Sequence, residues 1–277
     1  MKRKWIRWVS WILLTPIILF VILMVLLYVP PVQNLLRREV TAYASKATGM
    51  QIQVERIDLR FPLNLLVRGV EVIQQPDTLL SLESLNVRVQ AWPLIKGKVE
   101  VDEVTLSRVA VNSADLMEGM KIKGVLGRFF LQSHGVDLSN ELAVINQVEL
   151  SDTHMQLLMN DTTTTPKDTT ASAPINWKVA LHQLKLKNVS FSMQLPADSM
   201  RMTAHIGEAA INNAQADLKN QYYDLKKFLL SGTSASYDTG TAQPTEGFDA
   251  SHIAVRDIRI ALDSLLYKGR DMNAVIR

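Results

Sequence analysis

The sequence predicts an all-β domain, a long, curved and repeated sheet, held outside the cytoplasm by one N-terminal transmembrane helix. Three observations predict it. An uncharged run of 22 residues stretches from Trp8 to Val29. After Gly49 the apolar period changes from helical to two. Beyond residue 100 an interrupted alternation recurs along the chain.

Residues 1–7 form a basic flank, with Lys2, Arg3, Lys4 and Arg7 and no acid. At 1.5 Å per helical residue, the uncharged run 8–29 spans roughly 33 Å, the thickness of a hydrocarbon core. Trp8, Trp11 and Tyr28 stand near its ends as interfacial anchors. Pro16 lies inside it, where a bilayer tolerates a kink. A cleaved signal peptide is the competing reading. Its apolar region is shorter, however, and Tyr28-Val29-Pro30-Pro31-Val32 offers no small-x-small cleavage site. The positive flank precedes the span, so residues 1–7 are expected in the cytoplasm and the bulk of the chain outside it.

Pro30 and Pro31 end the span. Val32, Leu35, Leu36, Val40, Tyr43, Ala44 and Ala47 then recur at helical spacing up to Gly49, a C-cap residue. The expectation is a short amphipathic helix over 30–49, which either plugs the end of the following β structure or lies on a lipid surface.

From Gly49 onward, Gln51-Ile52-Gln53-Val54, Val70-Glu71-Val72, Leu85-Asn86-Val87-Arg88-Val89 and Val99-Glu100-Val101 alternate apolar and polar residues, as strands with one wet and one dry face do. A more specific pattern places apolar residues at offsets 0, 3, 5, 8 and 10. Val101, Val104, Leu106, Val109 and Val111 carry it, as do Leu181, Leu184, Leu186, Val189 and Phe191, and Ala250, Ile253, Val255, Ile258 and Ile260. Weaker copies start at Ile145 and Ile206. An extra residue would throw later side chains to the opposite face. A doublet such as Ser107-Arg108 must therefore be a bulge or corner that keeps Leu106 and Val109 on one side. The resulting curved sheet has one apolar face, which either packs on itself as a sandwich or stays open as a groove; the pattern leaves both open. Residues 160–176 and 231–249 lack periodicity and read as mobile polar loops inside one domain, 50–277.

Composition excludes several functions. The sequence pI is near 9.0. Setting aside the four N-terminal cations leaves 26 of the 30 Lys plus Arg against 27 Asp plus Glu, so no basic surface for nucleic acid is expected. Without cysteine there is no disulfide scaffold, thiolate zinc site or cysteine nucleophile. His134, His154, His182, His205 and His252 have no metal-ligand spacing. Gly119, Gly124 and Gly127 lack the Lys and hydroxyl residue of a phosphate loop. Asp102 and Glu103 are strand neighbours pointing to opposite faces, which does not suit an acid/base dyad. The expectation is a protein that is not an enzyme and needs no cofactor or metal.

The order of features resembles the N-terminal part of the TamB-like inner-membrane subunits of the translocation and assembly module, within the AsmA-like group. The residues that carry the resemblance are the basic-flanked anchor, Ala47-Thr48-Gly49 followed by Ile52-Gln53-Val54, and Leu66-Val67-Arg68-Gly69-Val70-Glu71-Val72. They continue with the run from Asp77 to Val87, Pro93-Leu94-Ile95-Lys96-Gly97-Lys98-Val99, Val104-Thr105-Leu106-Ser107-Arg108-Val109, and Gly247-Phe248-Asp249-Ala250-Ser251-His252-Ile253. Each motif is weak alone; their order makes the likeness specific.

The resemblance implies a single-pass protein of the bacterial inner membrane. Its periplasmic sheet would fold lengthwise into an apolar-lined groove serving phospholipid passage toward the outer membrane, or outer-membrane protein assembly and secretion. It also implies an outer-membrane β-barrel partner met through a C-terminal part that this chain lacks, so the chain reads as an N-terminal portion of a longer protein. The expected partners are the inner-membrane lipid bilayer and phospholipid acyl chains. An acyl chain gains roughly 0.8 kcal/mol per methylene removed from water, so an aliphatic lining suffices to hold it. The candidate lining residues are the repeat positions Val104, Leu106, Val109, Val111, Leu184, Leu186, Val189, Ile258 and Ile260. A different reading is a periplasmic scaffold or chaperone-like module with a packed apolar core, binding client strands at its sheet edge.

Overall fold

The computed structural model describes residues 29–60, 63–90, 92–93, 100–114, 119–137, 141–160, 176–240, 243, 245–269 and 271–276. The expected span, with Trp8, Trp11, Pro16 and Tyr28, lies outside the described residues apart from Val29. So do Lys2, Arg3, Lys4 and Arg7 and most of the segment 160–176. Among the described residues no helix is long and apolar enough to cross a membrane.

Helix α1 (Pro30–Thr48) begins at the two prolines, whose fixed φ suits a first helical turn and whose missing N–H is no loss there. It stops at Gly49, which takes the left-handed conformation at φ 70° and returns its N–H to the Ser45 carbonyl at 3.0 Å. The helix runs beside the first strand and covers its outer edge with polar groups. Gln33 Nε2 donates to the Leu59 carbonyl at 3.1 Å and Arg37 Nη1 to the Glu55 carbonyl at 2.8 Å. The Ile52 amide donates to Ser45 Oγ at 3.1 Å. Edge groups that would otherwise attract another chain are thereby satisfied. These contacts tie one side of the helix to the β1 edge, as a plug would, and leave the question of a lipid-facing side to its other residues.

The rest is one sheet of 11 strands in sequence order: β1 (Gln51–Arg60), β2 (Asn64–Gln74), β3 (Asp77–Val89), β4 (Val101–Asn112), β5 (Met120–Asp137), β6 (Leu142–Met159), β7 (Lys178–Leu195), β8 (Met200–Asp217), β9 (Tyr222–Asp238), β10 (His252–Lys268) and β11 (Asp271–Ile276). Every neighbouring pair is antiparallel except β6 and β7, which run parallel from Leu142 beside Lys178 to Leu158 beside Gln194. That exception accounts for the long segment between them. A hairpin turn cannot join parallel strands, and the chain must return the length of β6 before β7 begins.

The expected loop at 231–249 needs correction. Residues 231–238 complete β9, and only the stretch from Thr239 to Ser251 connects it to β10. The Ser-Gly-Thr-Ser-Ala-Ser run looks loop-like by composition. Yet Leu225, Phe228, Leu230, Thr233 and Ala235 repeat the offsets 0, 3, 5, 8 and 10, with small or hydroxyl residues in the last two places. Ala250 also falls outside the repeat assigned to it, in the turn before β10.

The doublets mark left-handed residues. Gly69, Arg108, Asp152, Asn188, Asn213, Lys227, Gly232 and Asp257 are each the second member of a doublet, with φ from 48 to 59° inside a strand. Such a residue turns the strand so that the side chains before and after it share a face. Gly, Asn and Asp tolerate this conformation, which costs other residues about 1–2 kcal/mol. Arg108, an exception, is ion-paired to Glu83 on β3.

The expectation of a bulge or corner resolves mostly into corners. Ser107 pairs with Arg128 and Val109 with Leu126, so Arg108 stands opposite Gly127; Gly127 in turn stands opposite Asp152, and Asp152 opposite Asn188. Doublet meets doublet, the ladder stays in phase, and the crease runs across the sheet from Glu55 and Gly69 on β1 and β2 to Gly207 and Gly232 on β8 and β9. The register shifts between β9 and β10, at Asp102-Glu103 against β3 and at Asn146-Gln147 against β5, and there the doublets are true bulges. A second crease passes Asn146, His182, Asn213 and Lys227.

Candidate functional site

Side chains two apart on a strand share a face, and paired residues on neighbouring strands share it too, so the register decides which apolar residues meet. Leu106 heads such a row. It pairs with Leu85 on β3 and Phe129 on β5; the row continues through Leu150, Leu186, Ala209 and Leu230 to Ile260 on β10. In the other direction it reaches Val67 and Ile57. Val104 lies in a parallel row with Leu131, Val148, Leu184, Ile211, Phe228 and Leu262. Val109 and Val189 share a third with Leu126, Thr153 and Ile206. Val111 lies in a fourth that includes Met155, Phe191 and Ala204. Ile258 pairs with Thr233 beside the third row, where the register shifts. The nine candidate residues, scattered over β4, β7 and β10 in sequence, thus stand in four rows of one apolar face.

Among the described residues that face is not sealed by a packed layer. Among the described residues, strands pack broadly only against their ladder neighbours, and α1 only against β1. Among the described residues no large side chain is fully buried. Of the two expectations, the half-burial of the rows fits an open face better than a packed sandwich or packed core. Val104, Leu106, Val109, Val111, Leu184, Leu186, Val189 and Ile258 are half-buried, and Ile260 is exposed. Exposure also grows along the sheet: Ile57, Leu79 and Leu82 near α1 are buried, whereas Ile253, Val255 and Ile260 on β10 and Met272 and Ile276 on β11 are exposed. With strands about 4.8 Å apart, the apolar rows run about 48 Å from β1 to β11.

The opposite face is polar and paired across strands. Arg88 Nη1 meets Glu103 Oε2 at 3.2 Å, and Asp102 accepts from Gln90. Asn188 Nδ2 donates to Asp152 Oδ1 at 2.7 Å. His205 Nδ1 shares a hydrogen bond with Ser190 Oγ at 2.9 Å and His134 Nδ1 with Asn146 Nδ2 at 3.0 Å. Val125 and Leu229 interrupt the alternation and are exposed there. Among the described residues no three His, Cys, Asp or Glu converge on a metal-sized site.

Two carboxylates are tuned by local hydrogen bonds. Asp249, in the β9–β10 connection, accepts from the amides of Ser251 at 2.9 Å and Thr245 at 3.1 Å, and pairs with His252 Nδ1 at 3.0 Å. Those amides and then His252 lower its pKa from 3.8 to about 2. Asp217 is lowered by the backbone and side chain of Asn220 and, less, by Lys178. Both sit at strand ends and order connections; neither touches the apolar face.

Sequence reasoning missed the contributions of β5 and β9 to the rows, above all Leu126, Phe129, Leu131, Phe228 and Leu230. On β5 only one doublet, Gly127-Arg128, interrupts the alternation between Ile122 and Leu131, so the five-position pattern does not appear. The single-doublet form was present and is shared by Ile52, Val54, Ile57 and Leu59 on β1. Compared with protein-family models and with curated proteins, the chain matches none.

Proposed function

We propose that this is a non-enzymatic cell-envelope protein tethered to the inner membrane. Its creased sheet forms an apolar trough that carries phospholipid acyl chains toward the outer membrane, the TamB-like role suggested by the order of sequence features. A contribution to outer-membrane protein assembly belongs to the same reading.

One observation carries the proposal: largely apolar rows cross the sheet, and among the described residues no large side chain in them is fully buried. An apolar face of this extent without a partner is rare on a protein surface and marks a binding surface. Acyl chains suit it because their stabilisation scales with area buried and needs no fixed polar contacts, which matches rows built of interchangeable Leu, Val, Ile and Ala. The creases give the shape, turning the sheet along its length without breaking the rows.

The test is site-specific photo-crosslinking in cells, with probes at Leu106, Val109 and Leu186 and controls at Arg108 and Lys187, followed by mass analysis of the adducts. Phospholipid adducts confined to the apolar positions are the expected result. Protein adducts alone, or none, would overturn the lipid reading. A second reading, strand capture from a protein client, draws on the outer edge of β11, which no described residue covers. Proline substitutions in β11 would impair that role and spare the lipid adducts.

A further inference from the structure

The orientation of α1 is the reverse of what an apolar stripe normally dictates. Gln33, Arg37 and Ser45 turn toward β1 and bond its edge. Leu35, Val40 and Tyr43 are 58%, 47% and 78% exposed. On a helix of 3.6 residues per turn Leu35 and Tyr43 lie at least about 80° from all three bonded residues, whereas Val40 stands at the boundary, about 20° from Gln33. Val32 and Ala44 are half-buried, but burial against the sheet does not explain Leu35, Val40 and Tyr43.

We propose that this stripe lies in the boundary between headgroups and acyl chains of the membrane that tethers the chain, seating the β1 end of the sheet at the lipid surface. The sequence names the occupant. The uncharged run Trp8–Val29 ends where α1 begins at Pro30, with no linker between them. A helix that starts where the span leaves the bilayer is held against the lipid at high effective concentration, and no competing protein surface has that advantage. Its chemistry fits as well. Tyr43 is an interfacial residue, Leu35 and Val40 supply apolar depth, and the exposed cation Lys46, beside Leu35 on the helix, is suited to anionic headgroups. The arrangement places the closed end of the apolar rows, Val54 and Ile57, nearest the membrane. The inference rests on the tether in the proposed function but not on lipid occupying the trough.

The chain contains no cysteine, so single cysteines can be introduced without background. The full chain is reconstituted into phosphatidylethanolamine–phosphatidylglycerol vesicles with an environment-sensitive fluorophore at Leu35→Cys, Val40→Cys or Tyr43→Cys. Asn34→Cys and Arg38→Cys, both exposed off the stripe, serve as controls. Resistance to alkaline extraction is scored first, then quenching by aqueous iodide and by spin-labelled lipid. The expected result is lipid quenching at the three stripe positions at least three-fold stronger than at the controls, with the iodide order reversed. Equal iodide access at all five positions in an extraction-resistant chain would overturn the inference and leave the tether standing. So would protection from iodide without lipid quenching, which would mean that a second copy or another protein surface covers the stripe. Loss of the chain on alkaline extraction would overturn the tether, and this inference with it.

Discussion

Adding one methyl group at Gly127 tests whether the creases exist as described. A Cβ built there would lie 2.7 Å from Asp152 Cβ, 2.9 Å from the Asp152 carbonyl oxygen and 3.1 Å from the Ser151 carbonyl oxygen. Carbon atoms rest at about 3.5–4.0 Å, so β5 and β6 must separate by several tenths of an ångström at the crease. The obstacles are backbone and a Cβ, which cannot swing aside as a long side chain would. Overpacking of this kind costs about 1–3 kcal/mol, against a gain of about 0.4–1 kcal/mol from the stiffer unfolded chain. The net loss in Gly127→Ala should be about 1–2 kcal/mol. With a urea dependence of about 2–3 kcal/mol per molar, the midpoint should fall by about half a molar. Asp152→Gly in the same chain removes the nearest contact while keeping the left-handed residue unstrained, so the effect of Gly127→Ala measured in the Asp152→Gly background should be smaller than in the parent, though not zero, because the Asp152 and Ser151 carbonyl oxygens remain. The assay is urea unfolding of the full chain in detergent, followed by far-ultraviolet circular dichroism. A Gly127→Ala midpoint equal to the parent's, unchanged by Asp152→Gly, would refute the crease.

Asn188 should discriminate between conformation and contact. Asn188→Gly keeps the left-handed geometry and loses only the exposed hydrogen bond to Asp152, a cost of about 0.5–1 kcal/mol. Asn188→Val adds the backbone penalty and should cost at least about 1 kcal/mol more by the same unfolding assay. Asp249 should make the β9–β10 connection acid-labile. Its carboxyl is depressed from 3.8 to about 2 in the folded state, so its contribution is complete above pH 3.8 and is lost as pH falls toward 2. Proteolysis of this connection by an acid-active protease should rise across that window, and Asp249→Asn should flatten the dependence. Leu106→Asp places a carboxylate in the row that runs from Ile57 to Ile260, at a half-buried position. The protein should remain folded by circular dichroism and lose most phospholipid adducts at the neighbouring Leu186; a folded variant with undiminished adducts would count against the trough.

Periodicity is local and therefore readable. The change from helical spacing to alternation after Gly49, the αL glycine that ends α1, and the doublets that keep Leu106 and Val109 on one face all follow from the geometry of a few consecutive residues. The same locality hid β9, whose Ser, Gly, Thr and Ala residues resemble a loop until Leu225 and Phe228 are aligned with them. It could not show that the doublets of successive strands meet, because that depends on register between residues far apart in sequence, as for Arg108 opposite Gly127 and Asp152 opposite Asn188.

The sequence by itself determined an alternating, corner-punctuated β chain with apolar residues on one face, and a helix bounded by Pro30 and Gly49. Only the tertiary structure decided that β6 and β7 run parallel, that the corners align into creases, and that among the described residues the apolar rows are not sealed by a packed layer. It also decided that α1 turns its polar side to the sheet. The physical reason is the same in each case. Side-chain pattern fixes which face of an element is apolar, but not what covers it. On α1 the carbonyls of the β1 edge need partners, which Gln33 and Arg37 supply, while Leu35 and Tyr43 stay exposed.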